Sequence, residues 1–270
     1  VHLVENAGDL RLNTVSVGAG TAFIKAINGS IFDADNDEST PNVLSGNVWL
    51  FASQNIGEKA HRLTTESGKL EAQSTKGSTY ILNTGALQVG GVTGAESGIS
   101  SGGEVSLTSK SPITIAKHVD GVGNVEIIAS DDGSDGDFVL VEEGYTVTST
   151  AGSITILAGD EIVFEKGVQI AANKNVTVTG ADDLGDADDV LVGNDVSITA
   201  ATGAIAIQAG DSFTIEKGAK ISALGNAVVT TTDDAANGDF LLVKNGATII
   251  SAKGLVELRA GDDLTIEKGA

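Results

Sequence analysis

A step of 51 residues governs the second half of this chain. Ala-Gly-Asp stands at Ala158-Gly159-Asp160, Ala209-Gly210-Asp211 and Ala260-Gly261-Asp262. Glu165-Lys166-Gly167, Glu216-Lys217-Gly218 and Glu267-Lys268-Gly269 keep the same step, as do Asn124, Asn175 and Asn226 and the Asp pairs at 131–132, 182–183 and 233–234. Three units follow: 118–168, 169–219 and 220–270. Residues 1–117 are less regular and read as a continuous extension of them. Val105-Ser106-Leu107 matches Ile154-Thr155-Ile156 at a step of 49. Such units bury their apolar faces against their neighbours, so the repeat constrains the fold more than any other feature.

Each unit divides again. Val190, Val192 and Ile198 lie 23 residues before Phe213, Ile215 and Ile221, giving halves of 28 and 23 residues. The difference is an acidic insertion near 131–137, 182–189 and 233–239. Each half holds three short runs with period-2 alternation, the signature of a strand with one buried face. In the middle unit these are 176–178, 190–192 and 196–198, then 205–207, 213–215 and 219–221. Three short strands in about 25 residues make one coil of a parallel β-helix (β-solenoid), with two coils per repeat. The fold class is all-β.

The register predicts inward columns. One reads Val139, Ile162, Val190, Phe213, Leu241, Leu264, and a second Val141, Phe164, Val192, Ile215, Val243, Ile266. A third reads Val125, Ile154, Val176, Ile205, Ala227, Val256. Every member is apolar, which a one-residue slip would destroy. Outward columns place Lys244 between Glu216 and Glu267 and set Glu143 beside Lys166. Coils ~4.8 Å apart give a rod of about 50 Å.

Composition agrees with this reading and excludes several functions. Hydrophobic content of 41% is too high for disorder, and 35 Gly with 2 Pro suits short strands and tight turns. The net charge of −21 opposes nucleic acid and anionic membrane surfaces as partners. The chain has no Cys, which rules out disulfides and cysteine metal sites. No run of about 18 apolar residues is present to span a bilayer as a helix. With Val at position 1 and no Met, the expectation is an internal piece of a longer chain, with any targeting signal outside it.

Residues 29–95 carry a resemblance. Ser45-Gly46-Asn47-Val48-Trp49-Leu50 through Ile56-Gly57, then Leu63 with Ser67-Gly68-Lys69-Leu70-Glu71-Ala72, then Tyr80-Ile81-Leu82-Asn83-Thr84-Gly85-Ala86-Leu87, is similar to a recurrent segment of very large bacterial exoproteins. These are the filamentous-haemagglutinin-like adhesins and giant surface proteins. Ile31-Phe32-Asp33-Ala34-Asp35-Asn36-Asp37 resembles the G-S-I-x-D-A-D-x-D turn of that group. The resemblance implies a right-handed parallel β-helix, secretion to the bacterial cell surface, and a role in adhesion or cell-to-cell contact.

The acidic loops are the sharpest chemical feature. Asp131, Asp135 and Asp137, then Asp182, Asp186 and Asp188, then Asp233, Asp234 and Asp239 crowd the three insertions, and Asp33, Asp35 and Asp37 repeat the theme upstream. Carboxylates at alternate positions resemble the start of a calcium loop, because Ca²⁺ takes six to eight oxygens. Asp and Gly are equally good residues for a solvated turn, so both readings stand. Asp160, Asp211 and Asp262 are expected to form Asx-turns at corners. His2, His61 and His118 share no repeat position and form no metal cluster. Trp49 and Tyr145 suit either sugar stacking or core and corner packing. No P-loop or dinucleotide fingerprint is present, and no catalytic residue or bound cofactor is assigned.

The leading expectation is a non-enzymatic rod, scaffold or attachment element of an extracellular fibre or adhesin. Its partners would be neighbouring repeats, other copies of the chain, or a cell-surface glycan. The alternative is a glycan-active β-helix, such as a polysaccharide lyase, hydrolase or phage tailspike. Two carboxyls beside a sugar-sized groove would be needed, and the irregular first third is where they could stand.

Overall fold

In the first coil His2–Glu5 lies beside Val15–Ala26, and this parallel pairing is repeated coil after coil. The computed structural model describes residues 1–94, 96–130, 136–181, 188–232 and 239–270. The pairings are parallel throughout. Twenty-eight strands form one sheet wound around an axis, and Leu10–Leu12 with Ile31–Asp33 form a two-stranded companion. The described residues contain no helix. The molecule is a parallel β-solenoid with three faces.

The first face carries the longest column. Leu3, Ile24, Leu50, Ala72, Ile99, Val119, Val147, Ile170, Ile198, Ile221 and Ile249 follow one another on successive rungs. It runs unbroken from the irregular first third into the 51-residue repeats. Eleven rungs at ~4.8 Å give a stack about 48 Å long.

All three predicted inward columns occur in the predicted order. Val125, Ile154, Val176, Ile205, Ala227 and Val256 line the second face. Val139 to Leu264 and Val141 to Ile266 line the third. One residue in two points inward, and the interior is filled by Val, Ile, Leu and Ala with Phe164 and Phe213 as its largest side chains. Each buried aliphatic contributes roughly 1.5–3 kcal/mol of transfer free energy. The third-face column steps alternately by 23 and 28 residues and the second-face column by 29 and 22, so the two coils of a repeat, apart from one residue between the first and second faces, differ only at one corner. That corner, between the second and third faces, holds the acidic insertion in every other coil.

The repeated Asn and Gly act together at the opposite corner, between the first and second faces. The Asn124, Asn175 and Asn226 side-chain oxygens accept the N–H of Ser153, Ala204 and Leu255 in the next coil, at 3.0, 2.9 and 3.1 Å. Gly152, Gly203 and Gly254 lie so close to those amides that an added Cβ would fall 2.7, 2.2 and 2.3 Å from the Asn oxygen. On the outer surface Lys244 Nζ bonds Glu216 at 2.6 Å and Lys166 reaches Glu143 at 4.0 Å. Glu267 follows Lys244 in the ladder as expected, and its carboxylate takes the Asn245 N–H at 2.9 Å.

Candidate functional site

Among the described residues, the acidic corner is held by hydrogen bonds from backbone N–H groups to aspartate side chains. Asp137, Asp160, Asp188, Asp211, Asp239 and Asp262 each stand two residues before the first inward residue of a third-face strand, one per coil. The first five are buried and Asp262 is exposed. Asp160 Oδ2 accepts the N–H groups of Gly136 and Asp137 in the preceding coil, both at 2.5 Å. Asp211 Oδ2 accepts the Asp188 N–H at 3.3 Å. Asx-turns within their own corners were expected for Asp160 and Asp211. The stacking of unequal coils brings the foot of the insertion within their reach, and they bond across coils instead.

Of the calcium-ligand candidates, Asp137, Asp188 and Asp239 belong to this column. Asp131, Asp135, Asp182, Asp186, Asp233 and Asp234 lie outside the described residues. Asp33, Asp35 and Asp37 form a staircase of turns. Asp33 Oδ1 accepts the Asp35 N–H at 3.2 Å, Asp35 Oδ1 the Asp37 N–H at 3.3 Å, and Asp37 Oδ1 the Ser39 N–H at 2.9 Å. The Ser39 hydroxyl on Asp37, and then its N–H, hold that carboxyl below its ordinary range. The three carboxylates are directed along the chain rather than toward a shared point. Among the described residues no three acidic or histidine side chains are placed to hold a metal ion.

Asp33 also faces the interior, where it meets a polar cluster that sequence reasoning did not find. Asn42 Nδ2 donates to Asp33 Oδ1 at 2.8 Å and to the Leu12 carbonyl at 3.0 Å. The Asn42 side-chain oxygen accepts the Thr64 N–H and hydroxyl at 2.9 and 2.8 Å. Asn42, Asp33 and Thr64 are all buried. The cluster ties the turn of residues 33–42 to the coils on either side.

Above that turn lies a groove of about 430 Å³ on the outer surface of the second face. Its floor is one outward column, Tyr80, Ser106, Glu126 and Thr155, on four successive rungs. One wall is the adjoining corner, with Glu104, Asn124 and Ser153. The other is made by Glu38, Lys59 and Arg62. Arg62 is fixed by Glu38, through Nε to Oε1 at 3.0 Å and Nη2 to Oε2 at 2.7 Å, and its Nη1 donates to Thr108 Oγ1 at 3.1 Å. The Arg62 hydrogen bond holds the Glu38 carboxyl below its ordinary range.

Across the groove the Tyr80 hydroxyl donates to Glu104 Oε2 at 2.8 Å, and Asn124 Nδ2 to Glu104 Oε1 at 3.2 Å. Burial raises the Tyr80 phenol above its ordinary value. Ser106 Oγ donates to Glu126 Oε2 at 2.8 Å. Lys59 Nζ stands 3.9 Å from Glu104. The groove therefore presents fixed carboxylates and hydroxyls with two cations at one side.

No family model, curated protein or solved structure matches the chain.

The two aromatic candidates lie elsewhere. Trp49 points outward from the first face, since its neighbours Val48 and Leu50 point in. It lies 6.1 Å from Phe23 and stacks on Phe51 at 6.1 Å. Tyr145 is half-buried, edge-on to His118 at 5.4 Å with Lys117 Nζ 5.6 Å over its ring. His2 stacks on Phe23 at 4.6 Å and His118 Nδ1 bonds Thr146 at 2.9 Å, so these two histidines occupy separate places.

Proposed function

We propose that this chain is a rod-like structural segment of a large extracellular bacterial fibre or adhesin, acting as spacer, scaffold or attachment element without catalysis. The observation that carries the reading is the eleven-rung column from Leu3 to Ile249, in which coil after coil repeats one packing solution. Such a stack gains length by adding coils, and the coils of the 51-residue repeats depend on no unique constellation. The acidic surface suits a rod that must stay solvated, and the resemblance of residues 29–95 to giant surface proteins agrees with it. Neighbouring repeats, other copies of the chain and a surface glycan are its proposed partners. The test is electron microscopy of the native parent chain at the cell surface, with and without a divalent-cation chelator. Long thin fibres support the reading, and their loss on chelation assigns bridging cations to the acidic corners. Short free particles overturn it.

A second reading, glycan cleavage, draws on one observation: Glu104 and Glu126 stand in the same groove. Incubation with neutral and acidic polysaccharides, read by release of reducing ends, decides it.

A further inference from the structure

The groove on the second face has features that the rod reading does not use. Its floor is linear and runs along the solenoid axis. It offers the Tyr80 phenol, the Ser106 hydroxyl, the Glu126 carboxylate and the Thr155 hydroxyl on consecutive rungs, ~4.8 Å apart. Its walls add both lone-pair acceptors, from Glu104, and N–H donors, from Asn124 and Arg62. Partly buried hydrogen bonds hold several of these groups in place before any ligand arrives, and preorganisation of this kind lowers the entropy cost of binding.

The chemistry restricts the occupant. Three carboxylates, Glu38, Glu104 and Glu126, face two cations, Lys59 and Arg62, and Arg62 is already neutralised by Glu38. An anionic polymer would meet uncompensated negative charge. An extended peptide would seek a free strand edge or alternating apolar pockets. The floor strands are paired on both sides, leaving no free backbone edge, and the floor side chains are polar. A chain of neutral sugars matches what is left, since every residue carries hydroxyls that both donate and accept, repeated along a linear backbone.

We infer that this groove binds a neutral oligosaccharide laid along the solenoid axis across the rungs of Tyr80, Ser106, Glu126 and Thr155. The inference gives the proposed rod a ligand. Its assay reads the groove, whereas fibre length reads the rod, so either can fail alone.

The experiment is isothermal titration of the whole 270-residue chain with cellohexaose, mannohexaose and xylohexaose, beside oligogalacturonate and hexalysine as charged probes. At least one neutral hexaose is expected to bind and both charged probes to fail. Glu126→Ala removes a charged hydrogen-bond partner and is expected to weaken binding about tenfold or more. Glu257 lies farther along the same outward column and outside the groove, so Glu257→Ala leaves affinity unchanged. Ser106→Ala stands in for Glu126→Ala if the latter melts early. Binding of a charged probe alone, no neutral hexaose bound at millimolar concentration, or equal losses from Glu126→Ala and Glu257→Ala would overturn the inference.

Discussion

Asp160 in one coil accepts the backbone N–H of Asp137 in the coil before it, and the same carboxylate oxygen takes the Gly136 N–H. The contact fastens the foot of the acidic insertion to the short corner of the next coil. Removing it leaves two N–H groups without their acceptor, one of them on a buried residue. Asp160→Ala is therefore expected to destabilise the chain by about 1–3 kcal/mol in urea denaturation. Asp160→Asn keeps one oxygen acceptor and should recover most of the loss. Equal destabilisation by both substitutions would show that charge, and not the hydrogen bonds, is what the corner needs.

The Arg62–Glu38 pair gives an acid-sensitive contribution. The Arg62 hydrogen bond holds the Glu38 carboxyl below its ordinary 4.5. A depressed folded value means stability that is present above pH 4.5 and lost as pH falls through the folded value. Glu38→Gln should lower the melting temperature at pH 7 by an amount matching roughly 0.5–1.5 kcal/mol, since both partners are partly exposed. The difference between variant and parent should shrink in acid below pH 4.5. A difference constant from pH 7 to pH 3 would remove the ion pair from the account.

Glu161 behaves in the opposite sense. Burial, and then the nearby Asp189 charge, raise its carboxyl above 4.5. Its folded form binds protons more readily than its unfolded form, so stability declines as pH rises through that window. Glu161→Gln should raise the melting temperature at pH 7 and have no effect at pH 4 or below. A lower melting temperature at pH 7 would mean that the charge makes a contact that outweighs its desolvation.

The columns were legible because two periodicities agree. Alternation puts Val139, Val141 and their equivalents on one side, and the 23- and 28-residue steps align them. The alternation also sets the direction of Trp49, between inward Val48 and Leu50, which removes core packing from the two roles its residue type suits. The aspartate column was not legible. Asp160 and Asp211 belong to the Ala-Gly-Asp motif, whereas Asp137 and Asp188 end the insertions, and only the stacking of unequal coils makes them neighbours. The groove escaped notice for a related reason. Arg62 is one of three widely separated arginines in the sequence, and its fork on Glu38 and its reach to Thr108 depend on a loop that crosses between coils. The Asn42 cluster gave no signal, because a polar residue beside a turn reads as solvated.

Gly203 tests the corner ladder. An added Cβ would lie 2.2 Å from the Asn175 side-chain oxygen and 2.6 Å from the Lys174 backbone. Backbone cannot yield as a flexible side chain would, so Gly203→Ala should cost about 1–3 kcal/mol. Asn175→Ala removes the side-chain part of that clash, leaving the Lys174 part, while also removing the acceptor of the Ala204 N–H. The double substitution should therefore be less destabilising than the sum of the two single ones. Strict additivity in urea denaturation would show that Gly203 and Asn175 do not share the close approach.

Phe213 and Leu264 occupy one inward column two rungs apart, yet Phe213 is fully buried and Leu264 is 48% exposed in this 270-residue chain. Inward direction alone does not bury a side chain in a solenoid; a rung on each side does. Phe213→Ala opens a cavity between packed coils and should cost about 3–5 kcal/mol, whereas Leu264→Ala in the same chain should cost well under about 1 kcal/mol. Adding one further 51-residue unit after residue 270 covers Leu264, and the cost of Leu264→Ala should then rise to about 2–5 kcal/mol. If that cost stays small in the extended chain, the coils do not stack by nearest-neighbour burial, and the rod reading loses its physical basis.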